Sequence, residues 1–356
     1  MARVPHPRGD GREDVEEDVF DPEELPEDQM AGLAQSGVGM LRPQRFDQYI
    51  GQRDLVLKLK VFIEAAKQRN EALDHVLLHG PPGLGKTTMA QVIANEMGVP
   101  FQITSGPAIE HKGHLIGLLT GLKERGVLFI DEVHRLSPTV EEFLYSAMED
   151  GEIDMPLGEG TSAQTVRFQI VPFTLIGATT RTGLLSAPLR DRFHIIELLS
   201  LYEDEDLATI VENAAVRLGL PCTAQGALEI GRRSRGTPRW AIRLIRRVRD
   251  FAQVEGLERI DPESAGRFLV KLGVDEEGLT SLDRDLLAAI FDHFDGGPVG
   301  VDALAASVGI PRDTIEDVHE PFLLQRGFIL RTSRGRIATE RAVRHLGRVP
   351  SVGGDD

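Results

Sequence analysis

The chain has 356 residues, of which 41% are hydrophobic and 27% charged, and its formal net charge is −16. Such a chain can bury a sizeable core and is long enough for two or three domains. Its one cysteine, Cys222, excludes an internal disulfide framework and fits a reducing compartment. The start, MARVPHPRGD, lacks the apolar stretch of a signal peptide, and no run of 18 apolar residues occurs. The sequence therefore predicts a cytoplasmic protein that does not enter a membrane.

Charge is unevenly distributed along the chain. Residues 1–29 hold eleven Asp or Glu against three Arg, whereas residues 326–348 hold seven Arg and one Glu. The overall negative charge therefore does not exclude a polyanion as a partner of the basic region. The composition of residues 1–35 predicts a disordered acidic tail, and residues 349–356 are expected to form a flexible tail.

The first predicted elements are an irregular strap, LRPQRFDQYIGQ, and a helix with the sequence DLVLKLKVFIEAAKQR. Strands follow at DHVLLHG, FQIT, GVLFIDE and FTLIGATT, with helical patterns between them. This alternation is typical of an α/β fold with a doubly wound parallel sheet, in which ligands bind at the carboxyl ends of the strands. We assign it to a large domain over residues 36–202.

The stretch HGPPGLGKTT lies between the first strand and a helical pattern. Gly80, Gly83 and Gly85 can adopt positive φ, so the loop can turn its amide groups toward an anion, to which Lys86 adds a positive charge. The spacing from Gly80 through four residues to Gly85, Lys86 and Thr87 matches the P-loop pattern. A tight turn with an incidental lysine is the alternative, and the order of strand, loop and helix disfavours it.

Two further strand ends carry polar residues. The strand in VLFIDE delivers Asp131, 45 residues after the P-loop lysine. There Asp131 can hold Mg²⁺ with the hydroxyl of Thr87, while Glu132 polarises the attacking water. A pair of surface acids that cap a helix is the alternative. FTLIGATT leads to Thr180, a candidate sensor of the γ-phosphate, although threonine at a strand end commonly satisfies backbone groups instead.

Residues 151–171 are predicted to form a hairpin inserted in the sheet region. Apolar residues alternate with polar ones on both arms, at Ile153, Met155 and Leu157 and at Val166, Phe168 and Ile170. An ordinary hairpin packed on its own domain is one interpretation. A hairpin with an exposed apolar face would instead be a docking site.

The motif SAPLRDRF carries two arginines close to the end of the large domain. Arg192, beside Phe193, is a candidate arginine finger that acts on the nucleotide of a neighbouring subunit. An ion pair with Asp191 is the alternative.

The strand patterns stop at about residue 204, and residues 203–273 predict a small all-helical domain. Within it, RGTPRW places Thr237 as the cap of a helix that begins at Pro238. Arg239 then projects from the first turn of that helix. From there it can reach a phosphate and couple nucleotide state to the angle between domains.

Residues 274–348 predict three helices, LDRDLLAAIFDHF, VDALAASVG and TIEDVHEPFLLQRG, and then a hairpin with the sequence FILRTSRGRIAT. Three helices and a basic hairpin form the pattern of a winged-helix domain. Arg331 and Arg336 flank a turn that holds Arg334, and we expect these arginines to contact DNA phosphates rather than base edges. A solvated basic face that contacts no DNA is the alternative.

Taken in order, GPPGLGKTT, FIDEVHRLSP, GATTR, LRDRF and GTPRWAIRL, closed by RTSRGR, resemble the motifs of the AAA+ ATPases. Within that class the chain is similar to the RuvB family of bacterial Holliday-junction branch-migration motors. LRPQRFDQYIGQ, RLSPTVEEFLYSAMED and the terminal winged helix narrow the match to this family. The similarity covers residues 36–348 in unbroken order, whereas the acidic tail departs from the family pattern.

The resemblance implies roles for individual residues in the use of ATP and Mg²⁺. The residues it implies for catalysis are Lys86, Asp131, Glu132, Thr180, Arg192 and Arg239, and those for the metal are Thr87 and Asp131. Those it implies for binding the nucleotide are Leu41, Arg42, Tyr49, Ile50, Gly83, Gly85, Lys86, Thr87, Thr88, Glu149, Asp150, Gly151, Arg192, Tyr202, Pro238 and Arg239. The DNA-binding residues would be Arg331, Arg334 and Arg336.

The resemblance also implies a hexameric ring that pulls duplex DNA and drives branch migration at four-way junctions, in recombination, repair and the SOS response. The hairpin at 151–171 would engage a RuvA-like junction-binding protein, a RuvC-like resolvase would be a further partner, and the site of action would be the bacterial nucleoid. One alternative is a clamp-loader-like switch that loads a protein on DNA. A sequence-reading regulator is another, and Glu132 and Arg192 argue against it because a pure sensor needs neither.

Overall fold

The computed structural model of the protein describes residues 41–157 and 164–348. The predicted tails at 1–35 and 349–356 lie outside the described residues, as do residues 158–163 of the predicted hairpin loop. None of the described helices is long and apolar enough to cross a membrane.

The first part of the described chain alternates helices and strands. The helices are α1 (Arg53–Arg69), α2 (Lys86–Met97), α3 (Lys112–Thr120), α4 (Pro138–Glu149) and α5 (Ala187–Asp191). The strands are β1 (Val76–His79), β2 (Phe101–Ser105), β3 (Val127–Asp131), β4 (Glu152–Leu157), β5 (Gln164–Gln169), β6 (Thr174–Thr179) and β7 (Ile195–Leu198).

Five of these strands form one parallel sheet in the order β2-β3-β6-β1-β7, which confirms the predicted doubly wound fold. Successive side chains of a strand point to opposite faces. Accordingly, Val127 and Phe129 belong to one buried cluster and Leu128 to the other. The register pairs Ile130 with Gly177 and Leu78 with Ala178, so the carboxyl ends of β1, β3 and β6 meet at one edge.

The strands β4 and β5 form the predicted antiparallel hairpin, separate from the main sheet. Ile153 lies opposite Phe168 across the hairpin. Ile153 is buried, whereas Phe168 and Val166 are 48% and 40% exposed. The base of the hairpin therefore packs on its own domain while apolar side chains of β5 face solvent.

Four helices follow the sheet: α6 (Asp204–Arg217), α7 (Ala224–Arg232), α8 (Pro238–Val254) and α9 (Pro262–Lys271). Their buried side chains, such as Leu207, Leu244 and Phe268, are continuous with the core on one face of the sheet. The hydroxyl of Thr237 accepts a hydrogen bond from the backbone N–H of Trp240 at 3.4 Å. The predicted cap of α8 is thereby confirmed.

The last segment has its own core around Leu286, Phe322 and Phe328. Its helices are α10 (Ser281–Phe294), α11 (Val301–Val308), α12 (Arg312–Thr314), α13 (Glu320–Gln325) and α14 (Glu340–His345), and its hairpin consists of β8 (Ile329–Thr332) and β9 (Gly335–Ala338). The winged-helix prediction is confirmed. We call β8, β9 and the turn between them the wing.

The third predicted helix of this segment is not regular. Residues Ile315–His319 form a π-helical turn between α12 and α13, a feature that the sequence pattern did not predict. Pro321 supplies the physical reason. It has no N–H to donate to the carbonyl four residues earlier, and its ring crowds that carbonyl, so the preceding turn widens.

Candidate functional site

The P-loop joins β1 to α2 and needs three glycines with left-handed backbone. The φ angles are 138° at Gly80, 82° at Gly83 and 92° at Gly85. The loop closes around Lys86, which is buried and whose Nζ donates to the carbonyls of Gly80 at 2.9 Å and Pro81 at 3.0 Å. The amide groups at the start of α2 complete a cationic pocket suited to phosphate.

Two hydroxyl residues and one carboxylate lie where a metal is expected. Thr87 and Thr88 belong to the first turn of α2, and Asp131 ends β3. Within 41–157 and 164–348, no group of three or more His, Cys, Asp or Glu side chains forms a self-contained metal site. A hydroxyl and one carboxylate suit Mg²⁺, which keeps few protein ligands and completes its shell with phosphate and water.

The strap packs an aromatic side chain against the P-loop. A Cβ on Gly85 would lie 3.2 Å from the hydroxyl oxygen of Tyr49. Tyr202 donates through its hydroxyl to the Tyr49 hydroxyl at 3.3 Å and to the Leu84 carbonyl at 3.4 Å. Burial raises the pKa of Tyr49 well above its usual value and that of Tyr202 to about 12, so both phenols stay protonated at neutral pH.

The helix α8 begins directly against the P-loop. The backbone N–H of Arg239 donates to the Gly83 carbonyl at 3.3 Å, and a Cβ on Gly83 would lie 3.1 Å from the Arg239 Cβ. Burial and the positive charge of Arg239 lower the pKa of Arg42. Leu41 packs on the adjoining core and Ile50 is half-buried. Two guanidinium groups thus repel each other beside the loop, and a bound anion would relieve that repulsion.

Glu132 follows β3 in a left-handed conformation, with φ 47°, which is uncommon for a residue with a side chain. A Cβ on Gly106 would lie 2.4 Å from the Glu132 carbonyl oxygen, so glycine is required there. The Glu132 N–H donates to Asp131 Oδ1 at 2.9 Å, and Arg135 Nη1 donates to Glu132 Oε2 at 2.8 Å. Backbone strain and an ion pair therefore set the direction of the candidate catalytic carboxylate.

The end of β6 is tied to the turn that carries Glu132. Thr179 Oγ1 lies 2.9 Å from His134 Nδ1 and accepts the backbone N–H of Arg181 at 3.0 Å. Burial lowers the pKa of His134. Thr180, between these anchored residues, is half-buried, and the sheet register brings its strand end to the edge where Asp131 lies.

Arg192 forms its ion pair with Glu149 and not with its sequence neighbour Asp191. Its Nη2 donates to Glu149 Oε2 at 2.6 Å and its Nη1 to the Pro188 carbonyl at 2.8 Å. The guanidinium also lies over the ring of Tyr145, 4.5 Å from the centroid. The expected alternative of a pair with Asp191 is thus replaced by a pair with Glu149, which lies at the end of α4.

Phe193 fixes the position of the adjacent Arg192. Its ring is buried against β6, where a Cβ on Gly177 would lie 2.9 Å from Phe193 Cζ. Asp150 caps α4 and Gly151 begins the hairpin with φ 66°. We call Glu149, Asp150, Gly151 and Arg192 the interface cluster: Arg192 pairs with Glu149, Asp150 and Gly151 follow Glu149 directly, and the resemblance implies that all four bind nucleotide.

The three arginines of the wing differ in their surroundings. Arg334 is exposed in the turn, and the Arg331 side chain is 60% exposed with Nη1 3.6 Å from Glu320 Oε1. Arg336 departs from the expectation of a surface position. Its side chain is 7% exposed, and its Nη2 pairs with Glu320 Oε2 at 2.6 Å and with Glu316 Oε1 at 3.1 Å.

Three residues without a predicted role contact the predicted site residues or the winged-helix segment. Arg135 pairs with Glu132, His134 contacts Thr179, and Arg181 pairs with two carboxylates of the winged-helix segment. His134 and Arg135 lie two and three residues after Glu132 in FIDEVHR, and Arg181 directly follows Thr180 in GATTR. Their position in those motifs was the available signal.

Three family models match the chain in consecutive segments. The "Holliday junction DNA helicase RuvB P-loop domain" matches residues 41–199, the "RuvB AAA lid domain" residues 202–275, and the "RuvB C-terminal winged helix domain" residues 276–347. The curated "Holliday junction branch migration complex subunit RuvB" of Myxococcus xanthus is 56% identical over 310 residues, which are 87% of this chain and 90% of that protein.

Solved structures of a Thermotoga maritima protein superimpose on most of the chain. The "RuvB Holliday junction branch migration motor" of that organism is 48% identical, with a TM-score of 0.80 over 87% of this chain and 99% of that one. A single-substitution variant of the same protein is 48% identical, with a TM-score of 0.81 over 87% of this chain and 100% of that one.

Proposed function

The chain belongs to the RuvB family of AAA+ ATPases, and from that premise we propose that it is the motor subunit that drives branch migration of Holliday junctions with the energy of ATP. The observation that carries the proposal is the docking of α8 on the P-loop, where the Arg239 N–H meets the Gly83 carbonyl. A nucleotide bound in the loop would touch both the sheet domain and the helical domain. Hydrolysis can therefore change the angle between them, which a motor requires.

In this proposal the P-loop residues hold the phosphates of ATP. Lys86 exchanges its contacts with Gly80 and Pro81 for phosphate oxygens, and Thr88 with the amides of α2 adds hydrogen bonds. Thr87 and Asp131 would hold Mg²⁺, which supplies neutralisation of the charge that develops on the phosphates. Leu41, Arg42, Tyr49 and Ile50 would line the adenine side, with Tyr202 and Pro238 at the junction with the helical domain.

Glu132 is the proposed base that orients the attacking water, and Thr180 contacts that water or the γ-phosphate. Glu132 must leave Arg135, its partner at 2.8 Å, to reach a water molecule. Their ion pair is partly exposed, so it stabilises the resting position only weakly. Arg239 acts on the phosphates from the helical domain.

The interface cluster is proposed to complete the nucleotide site of a neighbouring subunit. Arg192 is held by α4 and Pro188 of its own chain, so its guanidinium is fixed in direction before a partner arrives. A fixed cation costs little reorganisation when it meets the transition-state charge. Six such shared sites would close a hexameric ring, as the family resemblance implies.

The wing is proposed to contact the DNA backbone. Arg331 and Arg334 are exposed and can reach phosphates, whereas Arg336 holds the wing on α13 through Glu320. Phosphate contacts carry no sequence information, which suits a motor that moves over any sequence. This division of roles replaces the expectation that all three arginines touch DNA.

The partner is proposed to be a RuvA-like junction-binding protein that docks on the hairpin. Phe168 and Val166 present exposed apolar surface on β5, and exposed apolar patches are where proteins bind other proteins. A RuvC-like resolvase would act on the same junction. A chromosomal junction as substrate implies action at the bacterial nucleoid.

The proposal is tested by measuring ATP hydrolysis by the full-length protein alone, with a synthetic four-way junction, and with the junction and a RuvA-like protein. We expect the rate to rise with DNA and to rise further with the partner. Lys86→Ala, which removes the phosphate-binding ammonium, provides the background rate. A wild-type rate that is the same with and without DNA would refute the proposed motor.

A further inference from the structure

Arg181 joins the sheet domain to the winged-helix segment. It follows Thr180 directly, and its Nε and Nη2 donate to the two oxygens of Asp317 at 3.1 and 2.7 Å. The same Nη2 donates to Asp313 Oδ1 at 2.9 Å. This fork fixes the orientation of Asp317 as well as its distance, since two parallel bonds resist rotation.

On the sheet side, Arg181 is held by the elements around the nucleotide site. Its N–H donates to Thr179 Oγ1, which also contacts His134 in the turn after Glu132. Any displacement of the β6 end or of that turn on nucleotide binding therefore moves the backbone of Arg181. Its guanidinium carries the displacement to Asp317.

On the other side, the helical stretch of residues 313–320 contacts the wing with a second pair of carboxylates. Asp313 and Asp317 are four residues apart, as are Glu316 and Glu320, so each pair shares one helix face. Glu316 and Glu320 hold Arg336 at 3.1 and 2.6 Å. The stretch thus links Arg181 to the base of the wing within two helical turns.

The same stretch is anchored to the helical domain through Arg235 and to α10 of its own segment through Asp283. His319 Nδ1 lies 2.7 Å from Asp283 Oδ1, and Arg235 Nη2 donates to Asp283 Oδ1 and to the Val318 carbonyl, both at 3.2 Å. Burial raises the pKa of Asp283, but Arg235 and His319 outweigh it and lower that pKa to about 2. These buried contacts of Asp283 and Arg235 hold the stretch at Val318 and His319. Arg181 contacts the part that begins at Asp313, nearer the other end.

The two carboxylates that Arg181 contacts differ in their exposure to water. The side chains of Arg181, Asp313 and Asp317 are 30%, 72% and 33% exposed, so water screens the pair with Asp313, whereas the two-bond pair with Asp317 is partly shielded. Asp317 lies in the π-helical turn Ile315–His319, and Asp313 lies in α12 directly before it. Such a turn can exchange hydrogen-bond partners with the neighbouring α-helix, and π-turns often occur at functional sites.

We propose that Arg181 is a positioning residue that transmits the state of the nucleotide site to the DNA-binding wing through Asp313 and Asp317 of the 313–320 stretch. The inference rests on the proposed function, because it takes ATP as the ligand of the P-loop and DNA as the ligand of the wing. It adds a route within one subunit, beside the route through α8 and Arg239. Its consequence is that DNA affinity depends on the bound nucleotide.

The test uses the full-length protein and a labelled duplex of arbitrary sequence, with DNA affinity measured in ATPγS and in ADP. Coupling between two sites typically changes affinity by about 5-fold or more, and we expect a ratio of that size for the wild type. In the double variant Asp313→Ala, Asp317→Ala the ratio should fall to within about 2-fold of one. Its affinity in ADP and its affinity for nucleotide should stay near those of the wild type.

The charge swap Arg181→Asp, Asp317→Arg should restore a nucleotide-dependent ratio, which a general structural defect would not allow. Arg267→Ala is the matched control, because it removes a comparably exposed pair with Glu255 inside the helical domain. Asp317→Asn, which keeps the shape of the side chain, replaces the double variant if that variant fails to fold.

An unchanged ratio in the Asp313→Ala, Asp317→Ala variant would overturn the inference, and so would a wild-type ratio of one. Failure of the proposed function is distinguishable from these results. In that case wild-type protein would bind no DNA in either nucleotide, or DNA would leave its ATP hydrolysis unchanged.

Discussion

At the scale of single residues, the ammonium group of Lys86 and the carboxylate of Glu132 have separate tasks. Lys86 lies inside the P-loop and donates to its carbonyls, whereas Glu132 follows β3 and pairs with Arg135. One group can therefore hold phosphate while the other acts on water.

Lys86→Ala should abolish nucleotide binding, because it removes the charge around which the loop closes. Glu132→Gln should keep binding and abolish turnover, because the amide cannot accept a proton from water. Fluorescent-nucleotide titration and phosphate release measure the two properties. Equal loss of nucleotide binding in both variants would contradict this division.

A buried histidine gives a pH-dependent prediction at the same scale. His75 Nδ1 accepts the Leu175 N–H at 2.9 Å, and its Nε2 lies 3.3 Å from the Met148 carbonyl, next to Glu149. Burial lowers its pKa from 6.5 to about 4. The folded state therefore prefers neutral His75. Its contribution to the free energy of unfolding is complete above pH 6.5 and is lost as the pH falls toward 4.

The pKa difference corresponds to about 3 kcal/mol of unfolding free energy between neutral pH and pH 4. Urea unfolding from pH 7.5 to 4.5 should show this loss for the wild type beyond that of His75→Gln, which cannot become charged. Parallel pH profiles for the two proteins would show that His75 does not titrate in this way.

At the scale of elements, the wing shows what the sequence could and could not predict. Two short β runs about a turn that holds Ser333, Arg334 and Gly335 predicted β8 and β9. Arg331 and Arg336 lie opposite each other in the hairpin register, so they share a face. Which of them is buried depends on Glu320, a residue of another element, and this tertiary contact leaves no periodic signal in the sequence.

The same limit applies elsewhere in the chain. The P-loop, the cap of α8 and four of the five strands of the parallel sheet follow from local spacing and were predicted, whereas β7 and the order of the strands were not. The π-helical turn and the Arg192–Glu149 pair depend on Pro321 and on how α4 packs against α5, so a pattern of helical period could not reveal them.

The wing arginines should respond differently to substitution. Arg331→Ala and Arg334→Ala should weaken binding to unrelated duplexes by similar factors, and each lost phosphate contact should flatten the salt dependence of the binding constant by about 0.9 in log–log slope. Basal ATP hydrolysis without DNA should stay near the wild-type rate. A loss confined to one DNA sequence would favour a sequence-reading regulator.

Arg336→Ala is the contrast within the same hairpin. It leaves the buried carboxylate of Glu320 without its strongest partner, and breaking a buried ion pair costs about 3–5 kcal/mol. We therefore expect a lower melting temperature of the protein and not a selective change in salt slope. Wild-type stability together with a flattened salt dependence of DNA binding would show instead that Arg336 contacts DNA.

At the scale of the whole molecule, the proposed ring requires that two chains share each nucleotide site. Arg192→Ala should leave nucleotide binding nearly intact while turnover falls by about 10³ or more. Mixing it with Lys86→Ala should restore part of the activity, because a ring then contains interfaces with both an intact P-loop and an intact finger. No recovery at any mixing ratio would indicate a role for Arg192 within its own chain.

The central claim is that the ring moves DNA, and branch migration of a labelled four-way junction in the presence of a RuvA-like protein tests it most directly. A ring that moves DNA should convert the junction to duplex products with ATP, and should form none with ATPγS or with Glu132→Gln. Stimulated ATP hydrolysis that deposits the partner on DNA without exchanging strands would contradict the motor and identify a loader.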